Sequence, residues 1–311
     1  MIQYIFKFTL ICFVLQAEVM FGQSSVAKHI KPVMLDAKKI QLKEIGSLPK
    51  ALKEASGLEI TKDGHLWSHN DDGVPVLFCI DTLGKLVKTI QLDRANHGWE
   101  EITRDDEDNF YVAGIGNNKN DKKDLKILKF ADPEKTPANK IAETEDISFK
   151  YEDQKDFPPP PRKLNFDADA MISLNGSLYI FTKNRTVPFT GYSKIYKLSQ
   201  KAGEQTAALV DSLFLGKGYM LDRWITGAAV SPDKKTIAIL FHDHIWLLRD
   251  FTAGKFSNSK IYEVNLNHYS HKAGICFLTN EKLYIVDELE LDIIGGKLYS
   301  LDLRPVASDI K

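Results

Sequence analysis

The chain has few of the residues that staple, charge or anchor a protein. Three cysteines in 311 residues are too few for a disulfide framework. Cys79 and Cys276 sit in apolar runs, Val76-Leu-Phe-Cys-Ile80 and Ile275-Cys-Phe277, where buried free thiols are expected rather than a bridge. No cysteine pair has metal-ligand spacing, which argues against a structural zinc site. Charge of one sign is also missing. Lysine and arginine number 41 against 42 acids, so no net field draws the chain to nucleic acid or to an anionic membrane. Long amphipathic helical patterns are absent, and so is a serine nucleophile elbow. Gly114-Ile-Gly-Asn117 lies between strand-like runs rather than before a helix, so it is not a nucleotide-binding fingerprint. The one long apolar run, Ile2 to Leu15, holds Cys12, is interrupted by Lys7 and is too short to span a bilayer comfortably. With the small-residue zone after it, residues 1–23 read as a secretory signal peptide, which predicts a secreted or periplasmic protein with no membrane span after cleavage. Residues 24–311 then form a single domain.

What is present is a repeat. Its five copies are Glu54-Ala-Ser-Gly-Leu58, Trp99-Glu-Glu-Ile102, Asp167-Ala-Asp-Ala-Met171, Trp224-Ile-Thr-Gly-Ala-Ala229 and Lys272-Ala-Gly-Ile275. Each opens a strand, crosses a turn such as Lys62-Asp-Gly64 or Ser231-Pro-Asp233, and re-enters a strand with a polar end. Those ends are His69-Asn-Asp-Asp72, Asn117-Asn118, Thr182-Lys-Asn-Arg185, His242-Asp243 and Asp287-Glu288. A third strand follows every hairpin and a fourth follows most, which predicts an all-β propeller of four-stranded antiparallel blades. Five blades are counted; six is the alternative, because residues 118–166 have room for a degenerate blade. The last unit stops at its third strand. Lys39 to Ile45 is expected to supply the missing fourth and close the ring.

Propeller geometry brings the motif starts and the second-strand ends to one channel mouth. The expected metal ligands there are Glu54, Glu100, Asn117, Asp169 and Asp287, whose hard oxygens suit calcium. Lys183 and Arg185 either grip an anion or neutralise the neighbouring acids. His69 and Glu100 are the candidate bases, with His242 as another. Asn70, Asp71, Asn118 and Asn184 are expected to contact a ligand. Trp99 and Trp224 offer an aromatic wall for a sugar or a wedge between blades, whereas Trp67 and Trp246 read as core.

Glu54-Ala-Ser-Gly-Leu58 with Leu66-Trp-Ser-His-Asn-Asp71, Trp99-Glu-Glu-Ile102, Phe166-Asp-Ala-Asp-Ala-Met171 and Phe181-Thr-Lys-Asn-Arg185 resemble exported bacterial propellers of the TolB-like and NHL-like class. The similarity to the esterase-like β-propeller phytase family is looser. A more distant kinship with gluconolactonase-type propellers implies a channel metal set, for which Glu54, Glu100, Asn117, Asn184 and Asp287 are the candidates. Such repeats often carry an acid where this chain has Ser56, Gly227 and Ala273, and the basic cluster of phytases is thin. The expected function is binding of a divalent cation and a small anionic ligand, with metal-assisted ester or lactone hydrolysis as the candidate reaction. The alternative is a non-catalytic module that binds a protein or a cell-surface glycan.

Overall fold

The computed structural model describes residues 31–310, so the signal peptide expected over residues 1–23 lies outside the described residues. Five antiparallel units follow one another in the order read from the repeat. Blade 1 is built from Ala55–Ile60, Leu66–Asn70, Val76–Ile80 and Leu86–Leu92. Blade 2 uses Glu101–Arg104, Phe110–Gly114, Lys126–Phe130 and Glu145–Tyr151. Blade 3 uses Asp167–Leu174, Ser177–Lys183, Tyr192–Ser199 and Gly203–Phe214. In blade 4 the strands are Gly227–Val230, Thr236–Leu240, His244–Arg249 and Lys260–Asn265. Blade 5 has Lys272–Phe277, Lys282–Asp287 and Lys297–Asp302, and takes its outer strand, Leu42–Ser47, from the start of the domain. The ring is therefore closed by pairing both ends of the chain.

Residues 118–166 contain no sixth blade. They supply the last two strands of blade 2 and a short strand, Ile141–Ala142, that pairs in parallel with the edge of blade 1. Blade 4 is widened in the same way by Val33–Met34. Blades 2 and 3 share their outer edges, because Glu145–Tyr151 lies parallel to Gly203–Phe214 and merges them into one eight-stranded sheet. These added pairings cover strand edges that would otherwise be open to association.

Side-chain alternation explains how flat blades form a ring. Successive residues on a strand face opposite sides. In blade 4, Ile237 and Ile239 pack toward Phe181 and Ile172 of blade 3, while Ala238 and Leu240 pack toward Ile275 and Ile285 of blade 5. Each of the five blade-to-blade gaps holds one such apolar cluster. Trp67 and Trp246 are core residues, and the thiols of Cys79 and Cys276 are buried and free, as their sequence context suggested.

Near the axis the first strands press together. A Cβ at Gly274 would lie 2.6 Å from the carbonyl carbon of Gly57, so blades 5 and 1 meet there backbone to backbone. Gly57 itself has φ +66°, within an irregularity between Ser56 and Glu59. Similar β-bulges break the first strands of blade 3, between Ala168 and Ala170, and of blade 5, between Lys272 and Gly274. A bulge re-aims side chains relative to the alternation on either side of it. Among the described residues no helix is long and apolar enough to cross a membrane.

Candidate functional site

Adjacent residues Glu100 and Glu101 divide the channel. Glu101 is fully buried and spans the axis. Its Oε2 accepts the amide of Ala228 in blade 4 at 3.0 Å, and its Oε1 accepts the amide of Ile102 at 3.1 Å. Burial lifts its carboxyl well above the usual range, opposed by those two amides. Glu101 is a plug. Glu100, one residue earlier, faces outward into a cavity of about 340 Å³ at the channel mouth.

This cavity gathers acids from four blades: Asp71, Glu100, Asp169, Glu288 and Glu290. Asp169 owes its place to the blade 3 bulge, where it is the extra, unpaired residue. Burial first, then Asp169, pushes the Glu100 carboxyl well above the normal carboxylate range. Asp71 is pushed up to about 6 by burial and by Glu288, Glu54 and Asp72, and its Oδ1 is buried without a hydrogen-bond partner. Burial raises Asp169 as well, and the ammonium of Lys183, its ion-pair partner, opposes that shift.

The cations at the mouth are already engaged. Lys183 pairs with Asp169 and lies 5.3 Å from the centroid of the Trp224 ring. Burial works against its charge, but Asp169, Asp167 and Glu100 more than offset that and hold its pKa above normal. Arg185 donates from Nε to Asp167 at 2.6 Å, donates to Asn118, and stacks 4.0 Å from the centroid of Trp224. His271 bonds Glu288 through Nδ1 at 3.1 Å, which raises its pKa. His242 packs against His271 and Tyr269, and burial lowers it to about 4. Behind them Lys272 is wholly buried and donates to the carbonyls of His242 and His268 and to Ser270 Oγ, all at 2.9 Å.

Of the residues expected at the site, Asp71, Glu100, Asn118, Asp169, Lys183, Arg185, Trp224 and His242 line this cavity. The other candidates are placed elsewhere. Trp99 is buried between blades 1 and 2, edge-on to His69. His69 is fully buried, bonds the Asn70 carbonyl through Nδ1, and is lowered to about 4 by desolvation, so it is no cavity-wall base. Asn184 is used up inside its own loop by Thr186, Thr190 and Tyr192. Asn70 accepts the amide of Glu54 and donates to the Ala51 carbonyl.

The five expected metal ligands do not converge. Asp287 is buried and accepts from Lys297 N and Tyr299 OH. Asn117 is committed to Lys122 N and Phe166 O. Glu54 is half-exposed and pairs with Lys53. Among the described residues, the one group of three His, Cys, Asp or Glu ligand atoms within 4.8 Å of one another is His65, Cys79 and Glu134, far from this mouth in the fold. There Glu134 already accepts from His65, Trp67 and Thr61, and Lys88 lies 3.3 Å away. Cavity residues that the sequence reading undervalued are Trp224, Tyr269, His271 and Glu290. The first three lie on connections or immediately before first strands, where no periodicity fixes a direction.

No family model matches the chain, and no curated protein sequence matches it. Similar solved structures include a structural genomics protein of unknown function from Bacteroides thetaiotaomicron, 10% identical over 85% of this chain and 76% of that one, with a TM-score of 0.47. The PQQ-bound aldose sugar dehydrogenase of Streptomyces coelicolor is 10% identical over 85% of this chain and 98% of its own, with a TM-score of 0.46. Virginiamycin B lyase from Staphylococcus aureus is 14% identical over 82% and 68%, with a TM-score of 0.40. At such identities the likeness is one of fold and says nothing about chemistry.

Proposed function

We propose that the channel mouth binds a hydroxyl-rich small molecule of the carbohydrate class, and that Glu100 is the group able to exchange a proton with it. The observation that carries this reading is the convergence of five carboxyl groups and two aromatic rings, Trp224 and Tyr269, on one cavity. Carboxyl oxygens accept hydroxyl donors, and aromatic faces cover the apolar faces of sugars. Lys183 and Arg185 are neutralised by Asp169 and Asp167, so a small anion has less to gain here than a neutral polyol. Burial and the neighbouring Asp169 raise the Glu100 carboxyl well above its usual range, and Asp71 stands on the same wall as an acceptor; such a pair suits general acid chemistry. The apolar leader and the resemblance to exported TolB-like and NHL-like propellers support delivery to where glycans are met. The test is a glycan array followed by calorimetry. Glu100→Gln and Asp71→Asn should each weaken binding about tenfold, the worth of one hydrogen bond to a buried polar group. Binding of no glycan, or unchanged binding by both variants, would reject the reading.

A second reading is favoured by one atom. The unpartnered Oδ1 of Asp71 offers one hard oxygen to a divalent ion, although the carboxyl oxygens of Asp71, Glu288 and Glu100 do not all lie within 4.8 Å of one another. Calcium add-back after EDTA should then raise the melting temperature, and Asp71→Asn should abolish the shift. An unchanged melt throughout would dismiss the ion.

A further inference from the structure

The mouth has a second lobe. A cavity of about 530 Å³ adjoins the first and shares Asp71, Glu100 and Asn118 with it. Among its polar side chains two groups contrast. Asn96 and Lys122 are fixed to backbone, Asn96 Oδ1 accepting the amides of Gly98 and Trp99 and Lys122 donating to the His97 carbonyl at 2.9 Å. His97, Lys119 and Asp121 are exposed on the same wall, and their side chains form no hydrogen bond or ion pair with another described residue. A rigid floor thus carries uncommitted donors, acceptors and one ring.

The seam between the lobes is built. Gly116 has no positive φ to require glycine, yet a Cβ there would run into the Glu100 carboxyl, which occupies that space. Glycine at this position lets Glu100 lie where both lobes meet. The first lobe is at the low end of the ~300–1,000 Å³ range of small-molecule sites, and a ligand held in either lobe alone would leave Glu100 at its margin. A ligand passing through both would set the linkage between two units beside Glu100.

From this we propose that the mouth takes a linear, neutral oligosaccharide of at least two units, one unit per lobe, with the joining linkage at Glu100. The inference rests on the carbohydrate reading above and assigns His97 and Asp121 to the second unit. Calorimetry with three length series tests it: glucose to cellotetraose, glucose to maltotetraose, and N-acetylglucosamine to its tetramer. In at least one series the dimer or trimer should bind ten or more times tighter than the monomer. His97→Ala with Asp121→Ala should shrink that increment below threefold while leaving monomer affinity within twofold. Both positions are exposed, and an unchanged melt verifies folding. Equal affinity at every length, or an increment that survives the double variant, overturns the two-lobe assignment and leaves the carbohydrate reading standing. Absence of binding in all three series and on the array removes both.

Discussion

The two mouths of the channel are made from the same repeat and differ in what their charges do. At the hairpin-turn face, Arg104 bonds Asp108 at 2.9 Å and donates its amide to Glu59, Lys62 pairs with Asp108, and Lys234 of blade 4 reaches Asp106 of blade 2. Asp105 accepts from Glu107 N, Asn109 and Tyr111 OH. That face neutralises itself across blade boundaries. At the opposite face the acids exceed their partners, Asp71 and His242 keep unpartnered buried atoms, and burial with Asp169 raises the Glu100 carboxyl well above its usual range. The difference teaches that a ring of charges marks a site only where its members are left wanting partners. Between the mouths the buried Glu101 reaches from blade 2 across the axis to the amide of Ala228 in blade 4.

The sharpest way to break this contrast is to compare neighbouring glutamates. Glu101→Ala strands the buried amides of Ala228 and Ile102, and urea unfolding should show a loss of about 2–5 kcal/mol. Glu100→Ala should cost less than about 1 kcal/mol, because it removes a group whose burial is unfavourable. Equal losses would mean that Glu100 is structural after all.

Next in size is an acid effect. His69 has a folded pKa of about 4 against an ordinary 6.5, so the unfolded chain takes up its proton first as pH falls. Its contribution is complete above pH 6.5 and is lost as pH falls from 6.5 through 4, on the order of 3 kcal/mol. The buried acids Glu100 and Glu101 act in the opposite sense: their raised pKa values make the folded state gain protons first, which favours it as pH drops toward 4.5. The difference between wild type and His69→Gln, measured by denaturant unfolding at pH 7.5, 5.5 and 4, isolates the imidazole. A constant difference across that range would show that His69 is not held neutral by the fold.

Two smaller changes sharpen the contrast. Gly116→Ala should displace the Glu100 carboxyl and cost less than about 1 kcal/mol of stability, with a larger proportional loss in ligand binding. Lys234→Ala, at the self-neutralised face, should cost at most about 0.5 kcal/mol and leave binding untouched, since exposed ion pairs contribute little. A binding defect in Lys234→Ala would place function at the wrong face.

Much of the architecture was legible in the sequence because blade strands announce themselves by spacing. Eight residues from Leu58 to Leu66, or from Ala229 to Ile237, fix a hairpin whatever the side chains point at. Closure by the segment before the first repeat followed from counting strands. The site was harder, since a strand end shows which residues are near a mouth but not which way they face. Trp99 and Trp224 each open a copy of the repeat, yet the first fills a blade interface and the second lines the cavity. Bulges in blades 1, 3 and 5 shift the alternation, and the one in blade 3 frees Asp169 from pairing and turns it to the cavity. Asp287 and Asn117 look like free ligands in sequence, but tertiary partners from other strands consume their oxygens.

The four tryptophans give the most direct test of the open mouth. Trp67, Trp99 and Trp246 are buried between blades, and Trp224 alone lines the cavity. Indole N–H resonances of ¹⁵N-labelled protein, recorded with and without the tightest oligosaccharide from the array, should show the Trp224 signal moving and the other three holding still. A ligand that binds and leaves Trp224 unmoved would contradict the assignment of this face.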